Sequence, residues 1–146
     1  MRELIWRWPL LLLVIATGLG VCSLRGAGQS TASDDYGALA EAPAKASLRR
    51  NPREGDAQAR AAGKKLFLQH CAECHGSDAD GGSRAPSLRV DEVQQATAGT
   101  LFWILTNGVV RRGIPVWSKL PEPQRWQIVT YLRTLENAPV STKNAQ

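Results

Sequence analysis

Five consecutive residues, Cys71-Ala72-Glu73-Cys74-His75, limit this chain more than any others. The C-x-x-C-H spacing is that of covalent c-type haem attachment. Two thiols three positions apart on one helical turn can each add to a vinyl group of the same haem. The histidine after them then lies under the iron and offers an imidazole nitrogen as the proximal ligand. Covalent attachment keeps a haem bound even within a small polypeptide. Two other chemistries use the same residues. A zinc site would take Cys71, Cys74 and either His70 or His75, but a structural zinc site usually draws its other pair from a distant segment. The remaining cysteine is Cys22, and no second Cys or His pair exists. A thioredoxin-like dithiol would need a βαβ setting, and no strand pattern is found. A chance match is the last alternative.

At 146 residues the chain has room for one domain and some tail. The net charge of +5 is modest, and the basic residues are scattered, with no run suited to nucleic acid. With two of the three cysteines assigned to haem, no disulfide framework is available.

Residues 1–25 read as a signal peptide or membrane anchor. Arg2 and Arg7 flank the start, and an apolar run extends from Leu10 to Val21. That run has the length of a signal h-region and falls short of the roughly 20 residues that span a bilayer. Extended from Trp6 to Leu24 it becomes a tilted anchor with Trp6 and Trp8 at the interface, so membrane association through residues 4–24 is one expectation. Gly26-Ala27-Gly28 fits a cleavage rule loosely. Leu19-Gly20-Val21-Cys22 looks like a lipoprotein box, with Val21 a poor residue before the cysteine. All three fates export the rest of the chain. The expected location is the periplasm or the outer face of the inner membrane, where covalent haem attachment also takes place in bacteria.

Residues 26–52 are rich in Gly, Ala, Ser and Pro without apolar periodicity and are expected to form a flexible linker. Residues 53–138 are expected to form the folded domain and 139–146 a frayed tail. Asp56 is the predicted N-cap of a helix over 57–70, with Ala61, Leu66, Phe67 and Leu68 as its apolar stripe. Gly63 inside that helix costs about 1 kcal/mol against Ala, which usually marks close approach by another backbone or a large ring. A glycine-rich loop comes after His75, then a short helical stretch near 90–95. Thr97 caps a helix over 98–107 that Gly108 ends. The last helix starts near Pro121–Pro123 and runs to about Glu136, with either Trp126, Val129 and Leu132 or Ile128, Tyr131 and Leu135 as its inner stripe. The expected fold class is all-α, about four helices. So small a core is marginal alone, and a haem would supply its apolar centre. The apo-protein is expected to be largely disordered.

From about Gly55 to Leu135 the chain resembles the class I cytochromes c. Gly63 and Phe67 look like the family's glycine and aromatic on the first helix, which pack across the last helix at positions matched by Ile128 and Tyr131. Pro86 looks like the proline whose carbonyl accepts the Nδ1 hydrogen of the haem histidine, a contact that fixes the ring and raises its basicity. Leu88 matches a haem-contacting leucine. The resemblance implies a small cytochrome c fold around one covalently bound haem c per chain. It implies cofactor binding by Cys71, Cys74, His75, Pro86 and Leu88, with His75 as the metal ligand. Asn107-Gly108, Pro115, Trp117 and the helix from Trp126 to Leu135 look like small bacterial cytochromes found with oxygen respiration and periplasmic dehydrogenases. The implied partners are therefore a periplasmic dehydrogenase or a respiratory oxidase.

One departure from the family affects function. The family's second iron ligand is a methionine just before a proline in the loop after Asn107-Gly108. Here that place is held by Ile114, and the only methionine is Met1. Isoleucine has no lone pair, so the sixth position is either open or filled by a substitute such as Lys119 or a group from another molecule. The leading expectation is an exported electron carrier that is not itself an enzyme. The alternative is a haem protein with an open distal site that binds small ligands, for gas sensing or weak peroxidase activity. Arg111 and Arg112 either pair with haem propionates or an acidic partner, or belong to a solvated loop.

Overall fold

The computed structural model describes residues 36–135. The expected export segment, the first part of the expected linker and the expected tail lie outside the described residues. Those described form six α-helices: α1 (Ala44–Ser47), α2 (Ala57–His70), α3 (Ala72–His75), α4 (Asp91–Gln95), α5 (Ala98–Asn107) and α6 (Glu122–Leu132). Short 3-10 turns cover Gly37–Glu41 and Val110–Arg112. No strand forms among the described residues, and Val109 and Ile114 make one isolated antiparallel bridge. The four helices expected from sequence correspond to α2, α4, α5 and α6. The additions, α1 and α3, are single turns too short to carry a periodic signal.

Local chemistry fixes the helix ends. The Asp56 carboxylate accepts from the backbone N–H of Gln58 at 2.9 Å and of Ala59 at 3.0 Å, a cap worth about 1 kcal/mol. Thr97 Oγ1 accepts from the Thr100 N–H at 3.2 Å and starts α5. Gly108 stops α5 at φ +65°, a backbone geometry suited to glycine. Pro121 precedes the first turn of α6 and Pro123 lies within it, where proline leaves no ladder bond unmade. This helix ends at Leu132 rather than near Glu136. The N–H groups of Thr134 and Leu135 turn back to the carbonyls three residues earlier.

The face that α2 buries is Ala59, Gly63 and Phe67, spaced by four. Ala61 and Leu68, expected on the inner stripe, are exposed. The crossing with α6 decides this. At Gly63 the two backbones meet, which turns the 59–63–67 row inward and leaves Leu68 outside.

Both candidate stripes of α6 are buried, because the helix lies between two clusters. Ile128, Tyr131, Leu132 and Leu135 pack with Phe67. On the other side Trp126 and Val129 pack with Val93, Leu101 and Phe102. The Phe102 and Trp126 rings stack with centroids 3.9 Å apart. Helix periodicity alone chooses between two faces where the fold uses both.

Residues 36–52 correct the expectation of a flexible linker. Ala38, Ala46 and Asn51 are buried. The Arg49 guanidinium lies 4.5 Å from the Phe102 ring centre and pairs with Glu122 at 2.9 Å. Asn51 Nδ2 donates to Thr130 Oγ1 at 2.9 Å. The small residues that hide any apolar stripe are what allow close approach. A Cβ on Gly99 would sit 2.0 Å from the Ala46 carbonyl oxygen. The segment forms a strap laid backbone-first on α5.

Candidate haem site

The motif begins where α2 stops. Cys71 caps that helix, its N–H bonding the Phe67 carbonyl at 2.8 Å, and α3 then carries Cys74 and His75. The glycine-rich stretch after it folds back rather than wandering. The Gly81 N–H bonds the His75 carbonyl at 2.8 Å and the Leu88 N–H bonds the Ala79 carbonyl at 2.9 Å. Ala79 is fully buried at φ +62°. A Cβ on Gly81 would lie 2.5 Å from the Ser87 nitrogen, so this turn requires glycine. The returning chain places the Pro86 carbonyl oxygen 2.9 Å from His75 Nδ1.

A carbonyl only accepts, so Nδ1 carries the hydrogen and Nε2 keeps its lone pair. Burial lowers the His75 pKa, and the Pro86 bond opposes that in part. A lowered pKa favours the neutral ring, the form in which an imidazole binds iron. Burial pushes the Cys71 thiol up to about 11, and neighbouring Cys74 acts in the same direction. Cys71 is half-buried and Cys74 exposed.

Cys71, Cys74 and His75 all face one cleft of about 220 Å³, with Pro86 and Leu88 also in its wall. Much of the remaining wall is apolar, including Phe67, Leu101, Ile104, Ile128 and Leu132. Two thiols and a neutral, oriented imidazole opening into a largely apolar cleft fit a covalently held haem. Among the described residues no group of three His, Cys, Asp or Glu side chains is placed to hold a metal ion, as the zinc alternative would require.

Ile114, Pro115 and Trp117 enter the same wall. The loop that brings them is fastened at its base. The Val109 N–H bonds the Ile114 carbonyl at 3.0 Å and the Ile114 N–H returns to Val109 at 3.2 Å. A Cβ on Gly108 would come within 2.8 Å of the Ile114 oxygen. Lys119 is exposed and lies outside the wall. His70 does line it, with its ring against Trp117 at 5.3 Å between centroids. The two arginines part company. Arg111 pairs with Glu41, while Arg112 reaches the cleft and packs over the Gly37 backbone.

The strap supplies residues that sequence reasoning misses. Tyr36 and Leu39 line the cleft, and Tyr36 Oη donates to the Ser87 carbonyl at 3.0 Å. The available signal is Tyr36 itself, the one aromatic residue between positions 26 and 52.

A helical fold that turns C-x-x-C-H into the floor of an apolar cleft, with a proline carbonyl fixing the histidine, is that of a class I c-type cytochrome. The family described as cytochrome c oxidase, cbb3-type, subunit III matches residues 58–132, and the chain belongs to it. Over 137 residues it is 28% identical to the cbb3-type cytochrome c oxidase subunit CcoP of Rubrivivax gelatinosus, covering 90% of this chain and 45% of that protein. The chain thus spans about half the length of the curated relative it matches. Cytochrome cL from Methylophaga aminisulfidivorans superimposes with a TM-score of 0.51 at 25% identity, covering 58% of each chain. Cytochrome cL from Hyphomicrobium denitrificans gives 0.48 at 17% identity, over 66% of this chain and 64% of that one. Membership of this family implies covalently bound haem c with its iron.

Proposed function

We propose that this chain is an exported monohaem electron carrier in which Cys71 and Cys74 form the thioether bonds and His75 is the proximal iron ligand. The observation that carries this reading is the bond between His75 Nδ1 and the Pro86 carbonyl at 2.9 Å, made beside two thiols that share the cleft. When bound, the haem supplies a one-electron iron couple. The chain's own residues do the rest. Pro86 holds the imidazole in one tautomer and one orientation. Leu88, Phe67 and Ile128 give the cleft an apolar wall, which would keep the reorganisation around a changing charge small. Exposed Cys74 marks the side on which the cleft reaches solvent, where a redox partner would dock.

Export rests on the segment before residue 26, and the destination is the periplasm or the outer face of the inner membrane. Among the described residues no helix is long and apolar enough to cross a membrane. Residues 4–24 are the segment proposed for membrane association. The similarity to an oxidase subunit supports a respiratory oxidase as partner, with a periplasmic dehydrogenase as the other class. The chain passes electrons and is not itself an enzyme. The test is a reversible redox titration of the matured protein. A single one-electron wave with haem absorbance is expected. Cys71→Ser with Cys74→Ser should abolish attachment, and attachment persisting in that double variant would refute the assignment.

A further inference from the structure

An iron held from one side by His75 would have a further coordination position, and among the described residues the loop of Ile114 brings no imidazole, thiolate, thioether or phenolate to the cleft for it. Protein ligands of haem iron are imidazole, thiolate, thioether or phenolate groups. Beside His75, the wall residues with such atoms are Tyr36, His70, Cys71 and Cys74. The cysteines are consumed by attachment. Tyr36 Oη is engaged with the Ser87 carbonyl. His70 immediately precedes Cys71 at the end of α2, with its ring against Trp117. The loop closed by the Val109–Ile114 bridge brings Arg112, Gly113 and Ile114 to the wall, with Pro115 just after it, and none of these is an imidazole, thiolate, thioether or phenolate. Lys119 stays outside.

We propose that the second axial position is left to an exogenous neutral diatomic ligand, of the carbon monoxide or nitric oxide class, bound against the wall that Ile114 and Pro115 form. This rests on Cys71, Cys74 and His75 holding the haem as proposed above. The apolar wall sets the ligand class. A buried anion without a hydrogen-bond donor is costly, whereas a neutral diatomic loses little on leaving water. The two guanidiniums of the wall are engaged elsewhere: Arg112 packs over the Gly37 backbone, and Arg84 pairs with Glu73 at 2.6 Å. Ile114 and Pro115 have no group to move a proton, so beside them reversible binding is favoured over cleavage of a peroxide bond.

The test uses the full-length matured holoprotein, reduced anaerobically and titrated with carbon monoxide. The expected result is a high-spin ferrous spectrum before addition, then a shift of the main haem band that saturates at one carbon monoxide per haem. Ile114→Met puts a thioether in the wall, and that holoprotein should be low-spin and lose the shift. A low-spin unmutated protein that ignores carbon monoxide overturns the proposal. So does a low-spin protein that His70→Ala or Lys119→Ala converts to high-spin, because the chain then supplies its own ligand. An Ile114→Met protein that responds like the unmutated one overturns the siting at Ile114. Extraction of the same samples with acidified solvent separates the two readings: haem released there defeats the covalent assignment, whatever the carbon monoxide result.

Discussion

A Cβ placed on Gly63 would lie 1.9 Å from the backbone carbonyl oxygen of Gln127. Helices α2 and α6 therefore cross in backbone contact, with the Phe67 and Tyr131 rings 5.3 Å apart one turn further on. The obstacle is backbone and not a flexible side-chain end, so a larger residue must push the helices apart. Gly63→Val should destabilise the holoprotein by about 1–3 kcal/mol, the ordinary range for overpacking. Thermal unfolding of the two holoproteins checks this, and equal midpoints would mean that the helices do not cross there.

Gly99 plays the same part for the strap. A side chain there would collide with the Ala46 carbonyl, 2.0 Å away. Gly99→Val should lift residues 36–49 from α5 while leaving the α2–α6 crossing intact. Limited proteolysis should then cut within 36–50 at least tenfold faster, since about 1.4 kcal/mol of lost docking energy gives a factor of ten in the open population. Unchanged cleavage would show that the strap is not held there.

The Glu41–Arg111 pair also ties the strap to the loop that carries Ile114. The Arg111 side chain is 65% exposed, so its contribution is limited to about 0.2–1 kcal/mol and weakens with salt. Arg111→Glu should cost stability within that range at low salt. Adding Glu41→Arg should recover most of it. A double variant no better than the single one would show that the pair does not form.

Whatever repeats or punctuates is legible in the sequence. Asp56, Thr97 and Gly108 mark helix ends through their own chemistry, and each sits where such a residue acts locally. Gly63 announces a close approach by being costly. Residues 36–52 read as linker because Ala and Gly carry no periodic apolar signal, although small size is the property that seats them against α5. The inner stripe of α2 is misplaced onto Ala61 and Leu68 for a related reason: the crossing at Gly63 sets its rotation, and a composition window weights the bulky Leu68 over the empty Gly63. Of the cleft, the motif, Pro86 and Leu88 are recognisable from the sequence. Tyr36 and Leu39 are not, since their place depends on a chain reversal 51 residues long between Tyr36 and Ser87.

Replacing Ile114 should also move the potential. Methionine with histidine ligation raises the haem potential. Ile114→Met should therefore give a higher midpoint than the unmutated protein and add the weak near-infrared band of sulfur-to-iron charge transfer. Isoleucine and methionine are similar in volume, so the packing cost should stay under about 1.5 kcal/mol. An unchanged midpoint with no new band would place the loop of Ile114 away from the iron.

The haem is expected to complete the core that the short helices leave unfilled. Protein made without haem attachment, through Cys71→Ser with Cys74→Ser, should lose most of its helical circular dichroism. Native helix content in that variant would mean that the α2–α6 crossing and the strap suffice alone.

The most direct test of the account is the fate of the haem when the matured protein is denatured and extracted with acidified organic solvent. Two thioether bonds from Cys71 and Cys74 predict that the colour stays with the polypeptide, and that the doubly substituted protein yields no such retained haem. Haem passing into the solvent from the unmutated protein would contradict the assignment of those two thiols.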